Sequence, residues 1–162
     1  MSAGEENLAR RVFRDPVHVL AFGFGTGLSP VAPGTAGSLL GVALAWISFD
    51  AGMTIRLGIA AGLVVAGVWI CGVSARRLGI HDYGGIVWDE IAGMYVTLLV
   101  APPLPADWLL GFGLFRAFDI VKPWPIRDLD HRIEGGTGIM LDDLVAALYA
   151  ASILAFFGWL AH

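Results

Sequence analysis

Apolar residues are concentrated in five stretches, each with the composition of a helix. They are Ala36–Phe49, Leu57–Val73, Ile91–Ala101, Trp108–Phe118 and Leu144–Ala161. A helix needs roughly 20 residues to cross a bilayer, so the second and fifth stretches are long enough with a slight extension into the interface. The other three are short, and we expect them to be tilted, re-entrant or buried behind their neighbours. The pattern predicts an all-α fold, a compact helical membrane bundle.

The first 22 residues have a different pattern from the rest of the chain. Apolar residues recur near helical spacing beside Arg10, Arg11 and Arg14, and Pro16 interrupts the run. Such a segment is typical of an interfacial helix or of a solvated tail, and both interpretations stay open. We divide the chain into this N-terminal tail or interfacial helix, residues 1–22, and a single membrane domain, residues 23–162.

The composition also favours a membrane protein. Hydrophobic residues make up 57% of the 162-residue chain and charged residues 15%, whereas a soluble domain has about 25% charged residues. Such a chain is too apolar to be disordered. Its net charge of −4, with no basic patch interleaved with aromatic residues, argues against a nucleic-acid partner. The single cysteine, Cys71, excludes an internal disulfide framework and a zinc ribbon.

The basic residues predict the orientation, because short cytoplasmic loops retain Lys and Arg. If the N-terminus is cytoplasmic and all five stretches cross, Arg56 faces outward. The basic residues then on the cytoplasmic side are Arg10, Arg11, Arg14, Arg76, Arg77, Lys122, Arg127 and Arg132. Three glycine-rich polar segments, 23–38, 76–90 and 119–143, share that side, so one site can be assembled from three loops.

The first of these segments has the features of an anion-binding loop. It offers glycine backbone N–H groups and the hydroxyls of Thr26, Ser29 and Thr35 just before a helix, where backbone donors favour negative charge. It has no Walker A lysine, and its glycine spacing misses the dinucleotide fingerprint. A Gly/Pro turn that packs against a neighbouring helix is the alternative.

The second segment ends in two acids, Asp89 and Glu90, at the start of an apolar helix. They could be helix caps, and because adjacent helical residues point about 100° apart, they need not face one site. Ionisable groups at membrane depth are nevertheless costly and usually functional. His81 is a candidate base, although a packed or interfacial histidine is the commoner case.

The third segment carries both signs of charge. Pro123 and Pro125 should keep the chain extended and present Lys122 and Arg127 as anion donors. Further acids, Asp119, Asp142 and Asp143, lie before and after them, the last two at the predicted start of the final helix. Alternatively, the cations bind lipid headgroups and the aspartates cap a helix.

A carboxylate-rich site repels phosphate unless a divalent cation stands between them. Mg²⁺ fits best, because it prefers oxygen ligands and commonly bridges carboxylates to a substrate phosphate. We predict Glu90, Asp119, Asp142 and Asp143 as metal ligands, with Asp89 as a less certain member.

Four motifs together resemble those of a known family. They are Gly-Phe-Gly-Thr-Gly-Leu-Ser-Pro with the following Pro-Gly-Thr and Gly-Ser, His-Asp-x-Gly-x-Ile-Val-x-Asp-Glu, Phe-Arg-x-Phe-Asp-x-x-Lys-Pro-x-Pro-Ile-Arg, and Gly-Gly-x-Gly-Ile-Met-x-Asp-Asp. In this order, from Gly23 to Leu144, they resemble the phosphatidylglycerophosphatase A family. The resemblance implies an all-α enzyme of the bacterial inner membrane whose site faces the cytoplasm. Its implied activity is magnesium-dependent removal of the terminal phosphate of phosphatidylglycerophosphate, a phospholipid.

We accordingly assign roles to the candidate residues. The predicted catalytic residues are Asp89, Glu90, Lys122 and Asp143. The predicted substrate-binding residues are Thr26, Ser29, Thr35, Lys122 and Arg127. The sequence leaves the oligomeric state open.

Three other interpretations compete with this assignment. A purely structural membrane scaffold would not require so many carboxylates beside glycine loops. A small ion-coupled transporter or ion-binding membrane protein would also carry intramembrane acids, but it predicts them along a route with both ends charged. Here the acids gather on the predicted cytoplasmic side, and Asp50 and Asp107 alone lie on the outer side, which argues against such a route. Cys71 and Arg77 match the Cys-x5-Arg spacing of cysteine phosphatases, but Cys71 lies in an apolar run and not in the glycine-rich loop that a reactive thiolate needs.

Overall fold

The fold is built from helices throughout the part of the chain that the structure describes. The computed structural model describes residues 3–80, 83–102, 104–124, 126, 133 and 135–160. Its α-helices are α1 (Ala3–Arg14), α2 (Pro16–Ala21), α3 (Pro33–Ile47), α4 (Met53–Leu78), α5 (Trp88–Thr97), α6 (Pro105–Val121) and α7 (Gly135–Leu160). Two short 3₁₀ helices cover Gly23–Leu28 and Phe49–Ala51. No strand occurs within these ranges, which confirms the all-α prediction.

Two helices have the length that a membrane span requires. Both α4 and α7 contain 26 residues, and both are apolar enough to cross a bilayer by length and composition. They include the second and fifth apolar stretches. The shorter helix α3 is also apolar, and α5, with 10 residues, is too short to span. The fold is therefore that of a helical membrane bundle with short and long members.

Close packing of α4 against α7 depends on small residues. A Cβ on Gly136 would collide with the backbone carbonyl oxygen of Val68, and it would lie 2.7 Å from the backbone nitrogen of Gly72. Gly67 similarly admits the side chain of Met140. Glycines at such positions let two helix backbones approach closely. This contact joins the last turns of α4 to the first turns of α7.

One end of the bundle, which we call the polar end, contains the starts of α3, α5 and α7 and the ends of α4 and α6. Gly34, in the first turn of α3, contacts Glu90 of α5 and Arg116 of α6. At the other end, Arg56 in the first turn of α4 donates a hydrogen bond to the carbonyl oxygen of Leu98, 2.9 Å away, at the end of α5. The three glycine-rich segments consequently meet at one end of the bundle.

The N-terminal segment forms two helices that pack on the bundle. Asp15 separates them, and its carboxylate accepts a hydrogen bond from the backbone N–H of Val17 at 3.0 Å, which caps α2 at Pro16. Val12 is fully buried. His18 is also buried, and its Nδ1 lies 2.8 Å from the Ser74 hydroxyl of α4. Pro16 therefore interrupts the helix as expected, while the domain division at residue 22 stays a prediction.

Candidate active site

Three carboxylates meet at the polar end of the bundle. Asp89, Glu90 and Asp143 each offer an oxygen atom, and these atoms all lie within 4.8 Å of one another. Asp89 and Asp143 are 8% and 3% exposed, and the Glu90 side chain is 15% exposed. Acids so close together and so poorly hydrated are costly unless a cation or a proton compensates their charge.

The start of α5 positions two of these acids. The helix begins at Trp88, whose indole N–H donates to the carbonyl oxygen of Leu63 at 3.0 Å. Val87 precedes the helix and supplies no side-chain cap. Asp89 and Glu90 therefore lie in the first turn, where the partial positive charge of the helix terminus favours carboxylates. Although they are neighbours on a helix, both contribute to one cluster.

Asp143 reaches the cluster from the interior of α7. This helix begins at Gly135, well before the apolar stretch that starts at Leu144. The expectation that Asp142 and Asp143 begin the final helix is therefore wrong, because the Gly135–Gly138 segment is itself helical and packs closely on α4. The two aspartates lie beyond the first turn of the helix, so neither serves as its N-terminal cap.

Arg116 is a member of the site that was not assigned from the sequence. Its guanidinium Nη1 lies 3.8 Å from Glu90 Oε1 and 2.5 Å from Asp119 Oδ2, and it is 3.5 Å from the Ser38 hydroxyl. Arg116 precedes Asp119 by three residues on α6, which puts them on one helix face. That spacing, at the end of an apolar stretch, was the available signal.

The first turn of α3 closes one side of the site. Gly34 is buried, and a Cβ there would overlap Glu90 Oε1 and would lie 3.0 Å and 3.1 Å from the two terminal nitrogens of Arg116. A larger residue would therefore displace the carboxylate or the guanidinium. The anion-binding loop predicted from glycine content thus adjoins the acids, with glycine required for the close approach of α3.

The charges of the cluster suit a bound cation. Glu90 Oε2 and Asp143 Oδ2 are buried and have no hydrogen-bond partner among the described residues. Asp119 adds a further negative charge near Glu90 and Asp143. Burial, followed by the charge of Asp143, raises the pKa of Glu90 to about 8. Oxygen atoms in this arrangement are the ligands that Mg²⁺ prefers, so the residues fit the metal predicted from the sequence.

Lys122 and Asp142 form an ion pair beside this cluster. Lys122 Nζ lies 2.6 Å from Asp142 Oδ2, and Asp142 is 6% exposed. Neither belongs to the three-carboxylate group. The expectation of an extended chain after Lys122 is wrong, because Pro123 and Trp124 form a turn in which the Ile126 N–H donates to the Pro123 carbonyl oxygen at 2.8 Å.

The predicted phosphate-binding hydroxyls make local contacts. Thr26 Oγ1 donates to the Gly23 carbonyl oxygen at 3.0 Å, and Ser29 Oγ donates to the Val31 carbonyl oxygen at 2.8 Å. Thr35 lies half-buried in the first turn of α3. Their role in substrate binding stays a prediction. Arg127 and His81 lie outside the described residues.

Cys71 does not have the surroundings of a phosphatase nucleophile. It is fully buried and is a free thiol in the middle of α4. A reactive cysteine needs an accessible, electropositive loop that stabilises the thiolate. Its match to the Cys-x5-Arg spacing is therefore coincidental.

Comparisons with known proteins agree on one family. The family model described as phosphatidylglycerophosphatase A matches residues 19–157. Phosphatidylglycerophosphatase A of Escherichia coli strain K12 is 43% identical over 152 residues, which cover 93% of this chain and 88% of the relative. The protein of that name from Haemophilus influenzae is 45% identical over 142 residues, covering 86% of this chain and 87% of the relative.

A third relative introduces a second substrate name. It comes from Bacteroides thetaiotaomicron, carries a provisional name as a phosphatidylinositol-3-phosphatase, and is 37% identical over 150 residues, covering 87% of this chain and 92% of the relative. No solved structure matches the chain. The family match over most of the chain, together with the motifs that supply the buried acids and Arg116, shows that this chain belongs to the phosphatidylglycerophosphatase A family.

Proposed function

We propose that this enzyme is a magnesium-dependent lipid phosphatase that hydrolyses the terminal phosphomonoester of phosphatidylglycerophosphate to phosphatidylglycerol and phosphate. The observation that carries the proposal is the group of buried carboxylate oxygens, within 4.8 Å of one another, on Asp89, Glu90 and Asp143. The names of the relatives from Escherichia coli and Haemophilus influenzae supply the substrate. Phosphatase activity itself follows from family membership.

Asp89, Glu90 and Asp143 would hold the metal ion. When bound, Mg²⁺ supplies positive charge for the phosphoryl oxygens and makes water a better nucleophile. Asp119 has a carboxylate close to Asp143 but is also paired with Arg116, so we place it at the edge of the metal site. Asp142 is paired with Lys122 and acts in the proposal by holding that lysine.

The remaining residues would bind and orient the substrate phosphate. Arg116 presents a guanidinium beside Glu90, and a guanidinium can donate two parallel hydrogen bonds to phosphate oxygens. In the N-terminal turn of α3, Pro33 has no backbone N–H, and those of Thr35 and Ala36 bond to the Ala32 carbonyl oxygen, so the Gly34 N–H is the backbone donor that this turn would offer an anion. Thr26, Ser29, Thr35, Lys122 and Arg127 remain proposed contacts to the substrate headgroup.

Binding of the metal ion would be linked to loss of a proton from the acidic cluster. Without an ion, burial and the charge of Asp143 raise the pKa of Glu90 to about 8. Magnesium would lower that pKa, because a positive charge favours the ionised carboxylate. Asp89 and Asp143 would bind the ion together with the ionised Glu90, and the proposed hydrolysis depends on all three.

We place the enzyme in the inner membrane with this site facing the cytoplasm. The long apolar helices α4 and α7 support membrane insertion. The end of the bundle that carries the acids also carries Arg76, Arg77 and Lys122, and the positive-inside rule assigns such an end to the cytoplasm.

Phosphate release by purified protein tests reaction, substrate and metal together. Phosphatidylglycerophosphate, phosphatidylinositol 3-phosphate, phosphatidate and a water-soluble phosphomonoester should be compared with Mg²⁺ and with excess chelator. We expect phosphatidylglycerophosphate to have the highest kcat/KM, and the chelator to abolish turnover. A higher kcat/KM for phosphatidylinositol 3-phosphate would overturn the proposed substrate. Ion transport by reconstituted protein with no phosphate release would favour the transporter alternative.

A further inference from the structure

A cavity with a basic lining lies between α1, α2 and the end of α4. Its volume is about 600 Å³. The arginines that line it are Arg10, Arg11, Arg14 and Arg77. Asp15 is the carboxylate in its wall, and none of the three clustered acids of the candidate active site lines it. The cavity is therefore separate from the proposed metal site.

Asp15 does not neutralise the cavity. Its carboxylate is paired with a single arginine, Arg77, whose Nη1 lies 2.7 Å from Oδ1 and 2.5 Å from Oδ2. Arg11 donates to the backbone carbonyl oxygen of Arg77, and this oxygen carries no formal charge. One carboxylate thus faces several guanidinium groups, and the positive charge of Arg11 is not compensated by an ion pair among the described residues.

The two remaining arginines are exposed at the mouth of the cavity. Arg10 pairs with Glu6 at 3.6 Å, but both side chains are about two-thirds exposed (70% and 66%), and such surface pairs contribute little. Arg14 is exposed and makes no ion pair with a described residue. Arg10 and Arg14 are therefore available to bind an anion from outside the chain.

Buried contacts with the bundle fix the helices that form the walls of the cavity. Val12, on the opposite face of α1, is fully buried. His18 is buried beside Ser74 of α4, and Asp15 both caps α2 and binds α4 through Arg77. The arginines thus project from a packed scaffold. A fixed guanidinium fork is well matched to the oxygens of a phosphate group.

Apolar residues beside the cavity indicate a lipid as the source of the phosphate. Phe13, between the cavity residues of α1, is 61% exposed, and Phe24, in the neighbouring 3₁₀ helix, is 65% exposed. Gly25 brings the two segments together, since a Cβ there would lie 3.0 Å from the Phe13 ring. Exposed aromatic rings next to arginines on an amphipathic helix are typical of a surface that enters the headgroup region of a membrane.

We propose that this cavity binds the phosphodiester headgroup of an anionic phospholipid, at a site distinct from the candidate active site. A basic cluster on an amphipathic helix next to a membrane-spanning helix attracts anionic lipids electrostatically. Bound lipid would hold α1 at the membrane surface. The inference depends on membrane insertion of the bundle but not on the proposed phosphatase chemistry.

Lipid binding by the full chain in a non-ionic detergent tests the inference directly. Native mass spectrometry would compare dioleoyl phosphatidylserine, which is anionic, with dioleoyl phosphatidylcholine, which has no net charge. We expect the wild-type chain to bind the serine lipid about tenfold more tightly, because both headgroups carry the phosphodiester but only the serine headgroup adds a carboxylate acceptor, and one charge-assisted hydrogen bond contributes that much or more. The R10Q/R14Q variant should bind both lipids alike, with its melting temperature retained.

Arg76 offers a matched control, since it is exposed, adjoins Arg77 on α4, and does not line the cavity. R76Q should keep the preference for the serine lipid, and so should D143N, which alters the candidate active site. Equal binding of the two lipids by wild-type protein would overturn the inference. The inference would also be overturned if R76Q lost the preference for the serine lipid as fully as R10Q/R14Q does, or if an equimolar concentration of inorganic phosphate displaced the lipid.

Discussion

Asp143 is the residue whose surroundings are hardest to explain without a ligand. It is 3% exposed, it lies in an apolar helix, and its Oδ2 atom has no hydrogen-bond partner within the described ranges. A buried carboxylate in contact with two others would be replaced by an amide or an apolar residue if only stability mattered. The proposed cation, held jointly by Asp89, Glu90 and Asp143, would account for this cluster.

Amide substitutions at these acids should therefore raise the magnesium requirement. In D143N and E90Q the ligand set loses a negative charge, and we expect the Mg²⁺ concentration for half-maximal activity to rise by about 10- to 100-fold, similar to the effect of altering groups around a metal. Melting temperatures without metal should stay equal or rise, because charge repulsion is relieved. Phosphate release titrated with Mg²⁺ measures this. Unchanged titration curves would show that these acids do not bind the metal.

Variants of Lys122 and Asp142 distinguish two roles for this ion pair, a contact to the substrate and a purely structural pair. If Lys122 binds the substrate phosphate, K122Q removes a charge-assisted hydrogen bond and should lower kcat/KM roughly 10- to 150-fold, with little change in magnesium affinity. D142N should lower kcat/KM less, because the lysine charge remains. A melting temperature that falls in each single variant but recovers in K122Q/D142N, with kcat/KM moving in parallel, would show instead that the pair is structural.

The acidic residues of the site could be predicted from the sequence because charge is conspicuous in apolar segments. Asp89, Glu90 and Asp143 were identified in this way, and the structure brings them together. The pairing of Asp142 with Lys122 could not be predicted, since it depends on where α7 begins. Arg116 was missed because an arginine at the end of an apolar stretch is equally typical of an interfacial anchor.

At the scale of the helices, α3 determines the shape of the site through Gly34. The G34A variant would force a methyl group onto Glu90 and Arg116, and overpacking of this kind costs about 1–3 kcal/mol. We expect kcat/KM to fall more than tenfold. G62A is the matched control, because a Cβ at Gly62 meets nothing within 4 Å. If both variants retain wild-type activity and stability, the close approach of α3 has no functional role.

Helix α2 adds a pH-dependent contribution to stability. Burial lowers the pKa of His18, the Asp15 charge opposes this, and Arg11 and Arg77 reinforce it. The unfolded chain therefore takes up a proton at His18 more readily than the folded one, so this contribution is present above pH 6.5 and is lost as the pH falls through the lowered pKa. We expect thermal unfolding of wild-type protein to lose more stability than H18Q between pH 7.5 and about pH 5.

The comparison with H18Q is required because Glu90 acts in the opposite sense. Its pKa is raised to about 8, so the folded chain holds that proton more tightly, and stability falls as the pH rises from 4.5 towards that value. Both measurements should be made without magnesium. Parallel unfolding curves for wild type and H18Q across the range would show that His18 does not contribute.

Which segments form helices was easier to predict than where those helices begin and end. The apolar stretches identify α3, α4, α5, α6 and α7, because burial in a bundle or a membrane requires apolar side chains. The third stretch continues to Ala101, whereas α5 ends at Thr97, since hydrophobicity alone does not distinguish a helix from the buried loop that follows it. The glycines at the start of α7 precede the predicted start of the final helix at Asp142, but close packing on α4 overrides their low helix propensity.

At the scale of the whole molecule, the alternating direction of five successive helices links the topology to the site. Helices α3, α5 and α7 begin at the polar end, and α4 and α6 end there. The polar segments that join them therefore lie on the same side wherever the membrane is placed. Arg56 is at the other end, buried 5.0 Å from the Phe49 ring. The proposed cytoplasmic location of the polar end depends on the cations at that end, among them Arg76, Arg77 and Lys122, according to the positive-inside rule.

Single cysteines introduced into a C71A background would test that orientation in intact cells. Exposed positions at the polar end should react with a membrane-impermeant maleimide only after the cytoplasmic side is opened, because the cationic residues keep that end inside. These positions are Pro30, Gly84 and Trp124. Asp50 and Leu104, which are exposed near the other end of the bundle, should react in intact cells. Labelling of any polar-end position in intact cells would contradict a site that faces the cytoplasm, because Gly34, Glu90 and Arg116 lie together at that end of the bundle.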